Sequence, residues 1–449
     1  MKFRLLVAVL LTFAAAGCAH RAPAQPAAKA SAAKPSVAKK PAAKLAAPPA
    51  PAATTATPVA QPDPDAPREV RAIWVTRWDY SEPADVRRIM ENCAELGFNT
   101  ILFQARGNGT VYYRSEIEPW AWELTSDGPE TTGKDPGWDP MAVAVEEAHA
   151  RGLELHAYVN VFPAWRTQNY PPRDSGQLWW EHPDWFMCDA AGRRMVPRDH
   201  NANPKVGDWY AFLSPGVPEV QDYLAALFTE LATNYAIDGI HYDYVRFPAE
   251  IREVAEPFAD RARKLGNWSY DPVSLARFQN ETGIAAPDLD PEAWSAWRAT
   301  QVTETVRKIR DSVHAVRPNV VFTAAVMANP EDARATKYQD YVGWLETGLL
   351  DAAITMNYTG NIDQFRDRSA MLLEPRPAKG FIVQGLGLRN GDEIIAKQLE
   401  FLKTLGADGF AFFAYSNLFD RDKKHVKKAL ANQMGRIMSK TPARTPWQK

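Results

Sequence analysis

The sequence predicts a closed (β/α)8 barrel that follows a segment unable to fold. Between residue 68 and about residue 440, eight apolar strand-like runs alternate with eight helical repeats, the order that builds a helix-covered parallel sheet. The strand-like runs are rich in apolar residues, as expected for strands covered on both faces. No glycine-rich phosphate loop follows the first strand, which disfavours an open doubly wound sheet.

The first 17 residues have the pattern of a secretory signal peptide. Lys2 and Arg4 precede an apolar run at residues 5–16 that is too short to span a membrane as a mature helix. The run ends in AAGC, which resembles a bacterial lipobox, so Cys18 is expected to become a lipidated N-terminus. Ordinary cleavage near the end of the run is the alternative. Because alanine rather than aspartate follows this cysteine, we expect a lipid anchor at the periplasmic face of the outer membrane.

Residues 18–67 begin with this cysteine and are otherwise mostly Ala, Pro and Lys, without an aromatic residue. Such a segment cannot bury a core and is expected to be disordered. In a polyproline II conformation, at about 3.1 Å per residue, it could reach on the order of 150 Å. We expect it to act as a tether, and its basic part leaves open a contact with an anionic polymer. The net charge of −2 does not indicate a nucleic-acid partner, and we expect a monomer.

Apolar runs and helix-ending residues define each element of the predicted domain, residues 68–440. The strands are predicted at 71–77, 99–106, 153–160, 238–245, 320–326, 351–358, 380–387 and 409–416. The helices are predicted at 82–96, 140–151, 217–235, 294–316, 338–347, 362–372, 391–405 and 421–438. Apolar residues recur on one face of the first helix. A glycine follows several helices, at Gly97, Gly152, Gly348 and Gly406, as expected for left-handed caps. Residues 441–449 are predicted to be a disordered tail.

Three long connections, 107–139, 161–213 and 249–290, follow the second, third and fourth strands. They lie at the end of the barrel that carries active sites, and long loops in a compact domain are usually functional. Ten of the 15 tryptophans lie between Trp74 and Trp209. We expect at least two of the six tryptophans in the first two loops to line sugar subsites. The six are Trp120, Trp122, Trp138, Trp165, Trp179 and Trp180.

Polar residues near the C-terminal ends of the strands identify a candidate site. Alternate residues of a barrel strand point inward, and polar residues at one parity occur on six strands. The predicted substrate-binding residues are Gln104, Arg106, His156, Tyr158, Asn160, His241, Asn357, Gln384 and Tyr415. Asp243 is the one carboxylate at this inward parity and is the predicted catalytic residue. One inward polar residue would fit a structural role, but six contributing strands indicate one shared site.

The residue types at this site suit a carbohydrate. Aromatic rings stack on sugar faces, amides and imidazoles bind hydroxyl and acetamide groups, and a carboxylate serves as acid, base or nucleophile. Asp79 is the first candidate for a second catalytic carboxylate, and Glu331 and Asp332 are others. A substrate acetamide acting as nucleophile is the remaining option. The sequence has no zinc-ligand spacing and no nucleophile elbow, so we expect no metal and no other cofactor.

Four segments resemble the glycosyl-hydrolase-like family 10. They are REVRAIWVTRWDY (68–80), NTILFQARGNGTVYYRSEIEPW (99–120), HAYVN (156–160) and DGIHYDYVRFP (238–248). The resemblance covers roughly residues 68–420 and implies a TIM-barrel glycoside hydrolase with its catalytic acid at Asp243. The family includes lipoproteins that cleave peptidoglycan strands stripped of stem peptides.

The role of Asp243 stays open at this stage. Chitinase-type barrels carry D-G-x-D-x-D-x-E on the fourth strand, and here His241 and Val245 replace the first inward Asp and the Glu. Amylase-type barrels place a nucleophilic Asp at the position of Asp243. The residue is therefore well positioned in either scheme, as an acid or as a nucleophile.

These observations together lead us to expect a lipid-anchored glycoside hydrolase that acts on an N-acetylated envelope glycan, with denuded peptidoglycan strands as substrate. Two alternatives remain open. One is a non-catalytic glycan-binding envelope lipoprotein, and the other is an exopolysaccharide hydrolase. A binding protein would need stacking rings but no catalytic carboxylate.

The lipid anchor is tested by replacing the cysteine that would carry it. Cys18→Ser should release the protein from membranes into the soluble periplasm, because serine cannot take the thioether-linked lipid. Fractionation of cells followed by immunoblotting measures this. A variant that stays in the membrane fraction as fully as the unaltered protein would contradict lipidation.

Overall fold

The computed structural model describes residues 68–125, 127–197, 209–248, 268–374, 376–419 and 443–448. The predicted signal peptide at 1–17, Cys18, the tether at 18–67 and the last predicted helix at 421–438 lie outside the described residues. Within the described part of the chain, no helix is long and apolar enough to cross a membrane.

Eight parallel strands close into a barrel. The strands are β1 (Val70–Val75), β2 (Thr100–Arg106), β3 (Glu154–Asn160), β4 (Pro163–Trp165), β5 (Ala211–Phe212), β6 (Gly239–Asp243), β7 (Val321–Val326), β8 (Ala352–Met356), β9 (Phe381–Gly387) and β10 (Gly409–Phe413). The barrel order is β1, β2, β3, β6, β7, β8, β9 and β10, which pairs again with β1. Strands β4 and β5 form a small antiparallel pair in the loop after β3. The predicted (β/α)8 barrel is confirmed.

Helices connect the barrel strands and pack around them. They are α1 (Pro83–Glu95), α2 (Pro140–His149), α3 (Leu178–Glu181), α4 (Pro218–Asn234), α5 (Pro272–Thr282), α6 (Pro291–Val316), α7 (Pro330–Lys337), α8 (Tyr341–Glu346), α9 (Ile362–Leu373), α10 (Asp392–Leu405) and α11 (Tyr415–Leu418). The helix predicted at 338–347 corresponds to α8, and a further helix that was not predicted, α7, precedes it. They separate at Tyr338, which adopts a left-handed backbone with φ of 53°. The last strand also ends earlier than predicted, because residues 415–418 turn into α11.

The core has two layers. Apolar side chains inside the barrel form one cluster, and the outward-facing side chains form a larger cluster with the helices. The inner cluster contains Val70, Ala72, Trp74, Leu102, Tyr158, Ala325, Ile354, Val383, Ala411 and Ala414. These residues define which parity of each strand faces inward. This parity decides which polar residues can reach the mouth of the barrel, the end at which the strands terminate.

His156 lies at the N-terminal end of the barrel rather than at its mouth. It pairs in register with Gly239, the first residue of β6, and is fully buried. A Cβ on Gly239 would lie 2.6 Å from the ring nitrogen Nδ1 of His156. Only glycine leaves room for the imidazole there, so His156 is a packing residue. The structure therefore places His156 away from the mouth, where it was predicted to bind substrate.

The C-terminal residues 443–448 close this end of the barrel. Glu154 accepts hydrogen bonds from Thr445 Oγ1 at 2.8 Å, Trp447 Nε1 at 2.9 Å and Gln448 Nε2 at 2.7 Å. The Trp447 ring packs against His156, with ring centres 5.6 Å apart. Residues 443–448, which were predicted to belong to a disordered tail at 441–449, thus contact the barrel, because this polar segment supplies the donors that a buried carboxylate requires.

Replacing Trp447 tests whether the tail stabilises the barrel. Trp447→Ala should lower the free energy of unfolding by about 2–3 kcal/mol, since it removes apolar contacts and one donor to a charged acceptor. Trp209→Ala is the matched control, because this tryptophan is largely exposed and its loss should change stability by about 0.5 kcal/mol or less. Urea unfolding measures both variants, and equal destabilisation would contradict the role of the tail.

Candidate active site

Asp243 ends β6 at the mouth of the barrel and is held by three donors. Its Oδ2 accepts from the Tyr158 hydroxyl at 3.1 Å. Its Oδ1 accepts from the Tyr244 backbone N–H at 2.6 Å and from Arg246 Nη1 at 2.8 Å. Asp243 is 9% exposed, and Asn160 lies opposite it on β3. These contacts fix the carboxylate at the strand end where barrel enzymes carry their catalytic groups.

The chain turns sharply directly after Asp243. Tyr244 has a left-handed backbone with φ of 50°, which aims its N–H at the preceding carboxylate. The Arg246 guanidinium lies 4.4 Å from the centre of the Tyr244 ring. Burial alone would lower the pKa of Arg246, but the charge of Asp243 raises it above its ordinary value. The turn therefore places a permanent cation beside the carboxylate.

Three aromatic rings form a cluster at the mouth, and one of them, Tyr358, is influenced by the charge of Asp243. Phe413 stacks on Tyr358 with ring centres 5.4 Å apart, and Trp74 meets both rings edge-on. Phe413 is 37% exposed. Burial raises the pKa of Tyr358, and the charge of Asp243 raises it further. The exposed ring beside a carboxylate gives this part of the mouth the composition of a sugar-binding subsite.

His241 lies below Asp243 and does not reach the open mouth. It is fully buried, and its Nε2 accepts a hydrogen bond from Trp74 Nε1 at 3.0 Å. An indole N–H can only donate, so the proton of the neutral ring sits on Nδ1, which donates to Thr323 Oγ1 at 2.9 Å. Burial lowers the pKa of His241 well below its ordinary value. His241 therefore supports Trp74 as a neutral group, and the structure does not bring it to the open mouth, where a contact with substrate was predicted.

Arg77 joins the segments that surround the mouth. Its Nη1 donates to Asn108 Oδ1 and its Nη2 to Tyr210 Oη, each at 3.1 Å, and its Nε lies 3.3 Å from Glu123 Oε1. Its backbone N–H donates to Gln104 Oε1 at 2.9 Å. Gln104 thus points inward as predicted, but its amide oxygen accepts a hydrogen bond from the protein backbone. No sequence pattern singled out Arg77 or Glu123, since Glu123 lies in a loop without periodicity.

Asp79 lies at the rim of the mouth, beside a cavity of about 320 Å³ that Trp78, Glu123 and Ser416 also line. Its Oδ2 accepts from the Thr76 N–H at 2.6 Å and from the Thr76 hydroxyl at 2.9 Å. Burial raises the pKa of Asp79 above its ordinary value, although hydrogen bonds from Thr76 and Ser416 oppose the rise. Among the described residues, no hydrogen bond or ion pair joins Asp79 to Asp243.

Arg106 turns away from the mouth at a β-bulge. The register of β2 against β3 shifts between Gln104 and Arg106, which pairs Arg106 with the outward-facing Val159. Its guanidinium is fully buried, bonds Glu118 at 2.6 Å and donates to three backbone carbonyls of the loop after β3. The structure thus places Arg106 away from the mouth where it was predicted to contact substrate, because the bulge reverses its parity and every guanidinium nitrogen is occupied.

Asn357 and Gln384 also lie away from the mouth, whereas Tyr415 lines the cavity beside Asp79. Asn357 Nδ2 donates to the Phe365 carbonyl at 3.1 Å, and Gln384 Oε1 accepts from Thr355 at 2.7 Å. Both are fully buried between the barrel and α9. Tyr415 belongs to α11, where its hydroxyl accepts from Asn92 of α1 at 2.8 Å. The structure thus places Asn357 and Gln384 away from the mouth where they were predicted to contact substrate, and Tyr415 at its rim.

Most of the loop tryptophans pack against the protein itself. Trp165 and Trp179 are buried, and Trp120, Trp138 and Trp180 pack against the core. Trp122 alone of the six lies close to the mouth, with its ring centre 6.0 Å from Trp78, which is 43% exposed. Glu331 and Asp332 are exposed at the start of α7. In the described part of the chain, no group of three His, Cys, Asp or Glu side chains could hold a metal ion.

The barrel has the fold of TIM-barrel glycoside hydrolases. It aligns with the glycoside hydrolase domain of PgaB (BpsB) from Bordetella bronchiseptica with a TM-score of 0.54 and 16% identity, over 82% of this chain and 99% of that one. It also aligns with the catalytic domain of a β-amylase from Paenibacillus polymyxa with a TM-score of 0.52 and 12% identity, over 84% of this chain and 99% of that one.

The chain belongs to the Glycosyl hydrolase-like 10 family, whose model matches residues 69–390. It is 26% identical over 329 residues to Glycosyl hydrolase DigH of Escherichia coli (strain K12), which covers 63% of this chain and 64% of that protein. It is also 26% identical over 323 residues to Glycosyl hydrolase YngK of Bacillus subtilis (strain 168), which covers 63% of this chain and 53% of that protein. The alignments thus span about half to two-thirds of these relatives.

Proposed function

We propose that the protein is a glycoside hydrolase that cleaves denuded peptidoglycan strands and that Asp243 is its catalytic carboxylate. The observation that carries this proposal is the carboxylate at the end of β6, oriented by Tyr158, Tyr244 and Arg246. A group that accepts three hydrogen bonds, one from a cation, suits the role of nucleophile or of anionic stabiliser of an oxocarbenium-like transition state.

The aromatic rings beside Asp243 support a carbohydrate substrate. Phe413 and Tyr358 stack on one another next to the carboxylate, and an exposed ring there can receive the apolar face of a sugar. Tyr158 retains its proton because burial, and then the charge of Asp243, raises its pKa. Its hydroxyl therefore remains a donor to Asp243 throughout a reaction cycle at neutral pH.

Asp79 is the proposed proton donor. Its pKa is raised by burial, and a general acid works best when its pKa approaches the operating pH. No cation within the described residues offsets its charge in the way that Arg246 offsets that of Asp243. The membership in Glycosyl hydrolase-like 10 and the names of the aligned relatives support glycosidic cleavage.

Location and substrate belong to the same proposal. The AAGC sequence that ends at Cys18 would anchor the protein by lipid to the periplasmic face of the outer membrane. The tether would let the barrel reach the peptidoglycan layer. The proposed glycan is N-acetylated, and denuded strands are the proposed form because the resembling family includes enzymes that act on them.

The catalytic role is tested by Asp243→Asn in the full chain. The variant should fold normally and lose at least about 10³-fold of its activity, since it lacks the anionic group that acts as nucleophile or transition-state stabiliser. Asp79→Asn is the parallel test of the proton donor. Asp363→Asn is the control, because this carboxylate is exposed on α9 and should keep full activity.

Products of amidase-treated strands and of intact sacculi, identified by mass spectrometry, measure these activities. Faster cleavage of the treated strands is expected. An Asp243→Asn variant that keeps more than a tenth of the activity would move catalysis to another residue. Equal rates on the two substrates would contradict the preference for denuded glycan, and cleavage of neither would indicate a binding protein.

A further inference from the structure

Two arginines in the loop after β3 stack on tryptophan rings. The Arg194 guanidinium lies 4.0 Å from the centre of the Trp179 ring, and that of Arg173 lies 4.2 Å from Trp180. Tyr170, which is 54% exposed, packs beside both indoles with ring centres 5.8 and 5.5 Å apart. We call these five residues the arginine–tryptophan surface. It combines cations with an exposed aromatic ring.

Neither arginine has a carboxylate partner in the part of the chain that the structure describes. Arg194 donates to the backbone carbonyl of Trp179 at 3.3 Å. Its neighbour Arg193 pairs with Asp189 at 2.6 Å, so an acidic group is close by and already occupied. Burial lowers the pKa of Arg194 below its ordinary value, and nearby Tyr170 and Cys188 offset this only in part. A partly buried cation without a counter-ion favours an anionic ligand.

The arginine–tryptophan surface is connected to the mouth by strand pairing. Arg194 pairs with Cys188, and the segment that contains Cys188 pairs in turn with β5 through the Met187 N–H and the Phe212 carbonyl. Two strand spacings, about 10 Å, therefore separate Arg194 from β5. The Phe212 ring lies 6.0 Å from Tyr244, the residue after Asp243. The arginine–tryptophan surface thus belongs to the same loop whose strand β5 contacts Tyr244, and we expect a polymer that crosses the mouth to reach it.

We propose that the arginine–tryptophan surface binds the free carboxylates of an anionic glycan, with Arg194 as the principal contact. This inference rests on the proposed function and names the feature of the substrate that is recognised. When stem peptides are removed from peptidoglycan, each muramic acid residue keeps a free lactyl carboxylate, which in intact strands is a neutral amide. A guanidinium binds a carboxylate through paired hydrogen bonds, so denuded strands are selected by charge.

Binding to an uncleaved glycan tests this inference. The full chain carrying Asp243→Asn is titrated calorimetrically with two glycans of the same length and backbone. One is denuded strands, and the other is the same strands with their lactyl carboxyls converted to primary amides. The amide removes the charge without adding the bulk of a peptide. The free-acid strands should bind about tenfold more tightly, since a charge-assisted hydrogen bond contributes this much.

A matched pair of arginine variants locates the effect. Arg194→Gln, added to Asp243→Asn, keeps a planar amide on Trp179 and should bind both glycans with equal affinity. Arg193→Gln is the control, because Asp189 already neutralises its charge, and it should retain the tenfold preference. Equal binding of the two glycans before Arg194 is changed would overturn the inference, as would an Arg194→Gln variant that keeps the full preference.

The outcomes separate this inference from the proposed function. If the unaltered enzyme cleaves denuded strands but the charge preference is missing, the inference fails and the hydrolase remains. If the charge preference is present and no glycan is cleaved, the inference that this surface binds glycan carboxylates holds and the hydrolase proposal fails.

Discussion

The buried guanidinium of Arg77 is the interaction on which the arrangement of the mouth depends. It joins β1 to Asn108 and Glu123 in the loop after β2 and to Tyr210 at the end of the loop after β3. Burial alone would lower its pKa, but Tyr210, Tyr112 and Glu123 raise it well above its ordinary value. Removing one partner of a buried ion pair, such as Arg77 with Glu123, commonly lowers the free energy of unfolding by about 3–5 kcal/mol. A Cβ on Gly107 would lie 2.4 Å from Arg77 Nη1, so the loop must approach closely there.

Arg77 also connects these loops to the candidate catalytic group. Tyr210 packs edge-on against Tyr244 with ring centres 5.2 Å apart, and Tyr244 donates its backbone N–H to Asp243. The position of the carboxylate is thus set by its own strand and by two long insertions. This arrangement explains how a site can be precise although much of it comes from loops. The proposed acid and the proposed nucleophile then differ in surroundings, since Arg246 accompanies Asp243 and no described cation accompanies Asp79.

Strand periodicity predicted the barrel and part of the site, and local departures from periodicity account for the remainder. Tyr158, Asn160 and Asp243 face inward because β3 and β6 alternate without interruption. Arg106 was misplaced because a bulge cannot be read from a short apolar run. On β8 and β9 both parities are largely apolar, so polarity did not distinguish the inward face, and Gln384 lies among Thr355 and Ser369 outside the barrel. Nothing in the sequence around Glu154 indicated that it would accept hydrogen bonds from a distant C-terminal segment.

In the proposed function, a glycan lies across Phe413 and Tyr358 with its scissile bond at Asp243. A crystal structure of the Asp243→Asn variant with a bound denuded oligosaccharide tests this most directly. The predicted result is a sugar ring against Phe413 and a glycosidic oxygen or anomeric carbon within about 3.5 Å of the residue 243 side chain. A glycan that binds elsewhere, with both this ring and residue 243 untouched, would contradict the account.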